Sequence, residues 1–112
     1  MIKDVLNRSK HNLTITLKGD VLSTNAEEFS DNINRIIKKH KPANWDELKL
    51  DLNSVRIIDS MGLNMIFNTV KQVQAAGKSM KIHISSSSIQ RVFIFSRLDK
   101  AVEIVFKKHR RR

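Results

Sequence analysis

The stretch Ile57-Ile58-Asp59-Ser60-Met61-Gly62-Leu63 decides the fold. Its two isoleucines read as the end of a buried strand, and the residues after them have helical spacing. Asp59 and Ser60 therefore fall at a strand-to-helix junction. A serine at or next to a helix amino cap can accept one of the amide protons that the first turn leaves without a partner. That position also tolerates a phosphate, because the positive end of the helix dipole and free amide donors meet it. From the residues alone, Ser60 is either a plain cap or a regulatory hydroxyl. Gly62 lets another backbone come close.

After the junction a helix is expected from about Met61 to Ala76, stopped by Gly77. At about 100° per residue, Leu63, Ile66, Phe67, Val70 and Val73 form its core stripe. Met61 and Met65 then project to the opposite side with Asn64, Asn68 and Gln72. Two methionines on a polar face suit an adaptable protein contact. Packing under a neighbouring loop is the other reading.

Before the junction, Leu48, Leu50 and Leu52 alternate with Lys49, Asp51 and Asn53, as a half-buried strand does. Leu13, Ile15 and Leu17 alternate in the same way, and the first strand is expected inside residues 12–18. Gly19 and Asp20 break it, and Val21 and Leu22 make a short apolar step. Thr24 with Glu27 fits a capping box, opening a helix in which Phe29, Ile33, Ile36 and Ile37 share a face. Lys38 to Lys41 suit that helix's carboxyl end. Pro42 prevents continuation, and Trp45 anchors the loop.

Beyond Gly77, Met80, Ile82 and Ile84 form another alternating strand. Ser85 to Ser88 make a turn, with Ser87 or Ser88 capping a helix that carries Ile89, Val92, Phe93 and Leu98. Val102 to Phe106 is a short strand or helix. Strands alternating with helices imply an α/β domain with parallel pairing. A sheet covered on both faces would have continuously apolar strands. These alternate, so a mixed β-sheet is expected with helices mainly on one face, leaving Thr14, Thr16, Lys49, Asp51 and His83 on the open one.

The 112 residues suffice for one domain with a real core, and 5% aromatic content makes that core mainly Leu, Ile and Val. No cysteine is present, which removes disulfides, thiolate catalysis and Cys-based zinc sites. No apolar run approaches the roughly 18–20 residues of a membrane span, and the first ten residues lack a secretory apolar stretch, so a cytoplasmic domain is expected. The net charge of +10 is concentrated at the end: Lys107, Lys108, Arg110, Arg111 and Arg112 supply five of twenty-one basic residues. The single domain is thus read as residues 1–106, with 107–112 a basic tail. The four histidines (His11, His40, His83, His109) are scattered, no phosphate loop is present, and Asp51 and Asp59 do not form a convincing carboxylate pair. No catalytic constellation, metal site or cofactor is expected.

Four pieces, Leu17-Lys-Gly-Asp-Val21, the 57–63 junction, residues 75–93 and residues 97–105, succeed one another in an order and spacing that resembles the STAS domain family. This is the fold of bacterial anti-sigma factor antagonists, and it also occurs in sulphate transporters. The resemblance covers nearly the whole chain. It implies that the hydroxyl after the aspartate accepts a phosphate from a partner anti-sigma factor that is itself a serine kinase. It further implies that a serine/threonine phosphatase restores the binding form. By position Asp59, Ser60 and Gly62 match the switch motif, and Met61 departs from the usual second Ser or Thr. The expected function is an anti-sigma factor antagonist controlled at Ser60, with a partner surface of Met61, Asn64, Met65 and Asn68 and no small-molecule substrate. An accessory subunit of a membrane transporter is the alternative within the family. Binding of nucleic acid or anionic membrane through the tail is the alternative outside it.

Overall fold

The computed structural model describes residues 1–108. Five strands form one mixed sheet in sequential order: β1 (Ile2–Asn7), β2 (Asn12–Leu17), β3 (Glu47–Leu52), β4 (Ser79–Ile84) and β5 (Glu103–Phe106). The hairpin β1–β2 is antiparallel and every later pairing is parallel. Helix α1 (Ala26–Lys39) joins β2 to β3, α2 (Ser60–Ala75) joins β3 to β4, and α3 (Ser87–Phe95) with α4 (Leu98–Ala101) joins β4 to β5.

The one-sided arrangement comes from the strand order. Parallel crossovers are right-handed, and here each adds its strand on the same side of the last. Every connecting helix must then lie on the same face. The sheet residues respond as expected: Leu13, Leu48 and Met80 form one buried row, and Ile15, Leu50 and Ile82 the next. Against them pack Phe29, Ile33 and Ile36 of α1, Ile66, Val70 and Val73 of α2, and Ile89 and Phe93 of α3. Lys49, Asp51 and His83 stand half-exposed on the other face, where burial and the nearby Lys49 lower the His83 pKa from its ordinary value. Thr16 on that face is more covered, at 9% exposure. Trp45 is buried, with Lys78 over its ring.

Three boundaries differ from the sequence reading. The first strand is β1, not the strand at 12–17. Its alternation is masked because Asp4 occupies a helix-face slot opposite Ile15 between Ile2 and Leu6. The end of α1 makes that slot tolerable: His40 Nε2 lies 2.7 Å from the Asp4 carboxylate and Lys39 Nζ 3.4 Å. The Thr24–Glu27 capping box does not form. Asn25 is the cap residue, and its side chain closes the preceding turn by accepting from Leu22 N and donating to Asp20 O. Ser86, one residue before the expected pair, caps α3 by accepting from Ile89 N. The open choice at 102–106 resolves as strand β5. Lys107 and Lys108 are exposed, and the rest of the basic tail, 109–112, lies outside the described residues.

The Asp4 carboxyl is held below its ordinary pKa, first by the His40 hydrogen bond and then by Lys39, against the opposing effect of burial. A depressed carboxyl stabilises the fold above its unfolded pKa and loses that contribution as pH falls through the folded value. Asp4→Asn should therefore lower stability by about 1–2 kcal/mol near neutrality. The difference from wild type should close as denaturant melts are repeated from about pH 5 downward. A difference that persists unchanged into strong acid would place the effect in packing instead.

Candidate functional site

The site is built where two chain segments are tied together at the carboxyl end of the sheet. After β3, residues 53–59 run to the start of α2; after β2, residues 18–25 run to the start of α1. Val21 and Ile58 form an isolated parallel bridge, in which Val21 N donates to Ile57 O (3.0 Å) and Asp59 N to Val21 O (3.2 Å). The Asp20 carboxylate accepts from Ile57 N at 3.1 Å. Asp59 is the amino cap of α2: one oxygen accepts from Gly62 N at 2.8 Å, and the other reaches across to accept from Ser23 N at 2.7 Å. These two amides, Gly62 first, hold the Asp59 carboxyl below the ordinary carboxylate range, so it is ionised at neutral pH.

Gly62 is required by the same junction. A Cβ added there would collide with the carbonyl oxygen of Val21, which lies against the first turn of α2. The close approach expected at this glycine is therefore real, and its partner is the β2–α1 loop.

Ser60 is the first residue of α2 and is exposed. The capping reading of Ser60 is corrected here, since Asp59 takes that role and relieves the serine hydroxyl of it. Met61 beside it is 54% exposed, and Asn64 and Asn68 are exposed on successive turns. Met65 is not on that surface. It is 5% exposed, lodged between α1 and α2, with the Thr69 hydroxyl donating to its carbonyl oxygen and lying 3.7 Å from its sulfur. The helical wheel misplaced it because α1 covers a second stripe of α2. For the same reason Thr69 is buried, while Leu63 and Phe67 of the expected core stripe are only partly so.

Two features escaped the sequence reading. Ile57 does not end a buried strand but is 56% exposed, so that exposed apolar residues, Ile57 and Met61, occur on both sides of Ser60 in the chain. A shallow cleft runs between Ala26, Glu27 and Ser30 of α1 and Met61, Asn64, Met65 and Asn68 of α2. Nothing local marks Ser30, and Glu27 stood out only as a capping-box partner; the packing of α1 on α2 brings both to the cleft. Among the described residues no cluster of His, Cys, Asp or Glu could hold a metal, and no helix is long and apolar enough to cross a membrane.

The chain as a whole matches a known family. The STAS domain model matches residues 5–110, almost the full chain. The chain belongs to the STAS domain family. Solved structures with this STAS fold include an anti-sigma factor antagonist from Mycobacterium paratuberculosis, 16% identical, with 94% of this chain and 86% of that one aligned at a TM-score of 0.75. The Bacillus cell fate determinant SpoIIAA in its phosphorylated form is 15% identical over 97% and 93% of the two chains, at a TM-score of 0.68. SpoIIAA in its unphosphorylated form is 13% identical over 98% and 90%, at 0.65.

Three substitutions separate the parts of this site. Gly62→Ala should destabilise the fold by about 3 kcal/mol, because neither the α2 turn nor the Val21 backbone can yield freely. Met65→Glu should be similarly damaging, since it places a charge between two helices, whereas Met61→Glu should move stability by no more than about 0.5 kcal/mol. Thermal melts of the three variants check the assignment; a Met65→Glu protein as stable as wild type would contradict the burial of that side chain.

Proposed function

We propose that this STAS domain is a non-enzymatic partner-switching regulator, an anti-sigma factor antagonist whose binding is controlled by phosphorylation of Ser60. The observation that carries this reading is the division of labour at the start of α2. Asp59 caps the helix, so Ser60 is exposed with no structural duty, in a frame fixed by the Val21 bridge and Gly62. Family membership and the fold shared with anti-sigma factor antagonists support it.

In its unphosphorylated form the domain presents Ile57 and Met61 around Ser60, with Asn64 and Asn68 along α2 and Glu27 and Ser30 across the cleft. The partner is a serine-kinase anti-sigma factor, which transfers the γ-phosphoryl group of ATP to the Ser60 hydroxyl. A serine/threonine phosphatase reverses the step. The phosphate brings about 1.5–2 negative charges. The amino end of α2 receives them favourably, so the fold persists. The partner does not, because closing an interface over Ile57 and Met61 would now require stripping water from a dianion. Met61, at the position where the family motif usually has a second Ser or Thr, leaves a single acceptor in the motif and enlarges the apolar contact.

Incubating the protein with the serine-kinase anti-sigma factor of the same organism and ATP should add one phosphate, located by peptide mass mapping to the segment containing Ser60. Ser60→Ala should abolish the addition while retaining binding, and Ser60→Asp should remain folded but bind at least about tenfold more weakly. Phosphate found only elsewhere, or normal binding by Ser60→Asp, would reduce the junction to a helix start.

A further inference from the structure

Strands β2 to β5 run parallel, so the segments that enter them lie at one end of the sheet, and the amino ends of α2 and α3, with Ser60, lie at the other. The entry end collects positive charge: Arg8 and Lys10 between β1 and β2, Lys38 and Lys41 at the close of α1, and Arg97 and Lys100 between α3 and β5. Each of these is exposed, and none takes part in an ion pair among the described residues. Of the acids at this end, Glu47 lies 3.6 Å from Lys81 and Asp99 has its Oδ1 buried, while Asp46 and Glu103 are exposed. The last turn of α3 adds apolar surface: Phe95 is 91% exposed and Ile94 55% exposed. A shallow cleft beside them is lined by Arg97 and Lys100 together with Asp99. Phe95 is thus a solvent-facing ring with cations at its foot.

We propose that this end of the domain docks on an anionic lipid surface, with Phe95 and Ile94 entering the boundary between headgroups and acyl chains and the surrounding cations meeting lipid phosphates. Such a boundary suits a small apolar projection set among basic side chains, because burial of the ring and attraction to the phosphates act together. The formal net charge of +10 draws the whole chain towards the same surface. A protein partner is a poorer match: a standard interface covers about 800 Å² on each side, and the exposed apolar surface here is two side chains in a basic field. Single-stranded nucleic acid is also a poorer match, since its sites stack successive bases on several aromatic rings along a basic groove. Phe95 is the one aromatic among the large apolar side chains exposed in the described residues. Arg97 has a left-handed backbone, φ 64°, just past the end of α3, where glycine is the usual residue. A cation therefore stands there against the local backbone preference. Ser60 lies at the opposite end of the sheet, so the switch surface stays open while the domain is docked.

Co-sedimentation of the full chain with lipid vesicles tests this. Wild type should bind vesicles of phosphatidylcholine mixed with phosphatidylglycerol, ignore phosphatidylcholine alone, and be released as salt is raised. Phe95→Glu, at an almost fully exposed position, should lose the binding with an unchanged melting temperature. Arg97→Gly should melt no lower than wild type, because glycine takes the left-handed backbone without strain, yet bind about fivefold more weakly. Lys41→Glu, at the close of α1, should weaken binding by at least as much. Phe95→Trp should shift its fluorescence to the blue on adding the mixed vesicles, and a chain truncated after Lys108 should still bind. No binding to the mixed vesicles, binding that Phe95→Glu leaves intact, or binding that disappears with the tail would overturn the proposal. Phe95-dependent self-association, or Phe95-dependent capture of a single-stranded oligonucleotide, by a protein that ignores the vesicles would do so as well, assigning the patch to a second copy or to nucleic acid.

Discussion

The carboxylate of Asp59 holds two pieces of backbone at once, the first turn of α2 through Gly62 N and the β2–α1 loop through Ser23 N. Most of what is specific to this domain depends on that clamp. It fixes the distance between the starts of α1 and α2, and with it the cleft between them. It works only because Gly62 lacks a Cβ and lets the Val21 carbonyl lie against the helix. It is reinforced from the other side by the Asp20 carboxylate on Ile57 N and by the Val21–Ile58 bridge. Both Asp59 oxygens are engaged with amide donors, which keeps the group ionised and the helix capped over the physiological pH range.

A consequence for the mechanism is that the position of Ser60 does not depend on Ser60. In many helices the first hydroxyl is occupied with the backbone, and modifying it would cost the cap. Here the cap is the neighbouring acid, so the hydroxyl can change chemical state while the frame around it stays put. Under the proposed phosphorylation the charge change would be expressed outward, where Ile57 and Met61 are also exposed. Partner exchange by such a domain needs no large conformational change; it needs one surface whose desolvation cost can be switched.

Much of this was legible in the sequence because the signals were local. The alternation of Leu48, Leu50 and Leu52 against Lys49 and Asp51 announced a one-sided sheet, and right-handed crossovers made it so. Gly62 was readable as a close approach, though not which backbone approached. What was hidden depended on tertiary neighbours. Asp4 disguised β1 because its partners, His40 and Lys39, arrive from the far end of α1. Met65 looked surface-facing because a helical wheel contains one core, whereas α2 packs against both the sheet and α1. Ile57 looked buried because an Ile-Ile pair resembles a strand, but the loop turns it outward while Ile58 alone bridges to Val21. Ser30 carries no local mark at all, and Glu27 is marked only for a capping box that does not form.

The central claim is that the chemical state of one hydroxyl sets the affinity of an otherwise unchanged domain. Isothermal titration of the serine-kinase anti-sigma factor with fully phosphorylated and unphosphorylated protein, prepared side by side, measures that directly. Phosphorylation should weaken binding by about 100-fold or more, the cost of desolvating an added dianion within a closed interface, while the melting temperatures of the two forms stay close. Equal affinities for the two forms, or a phosphorylated form that has lost its fold, would contradict it.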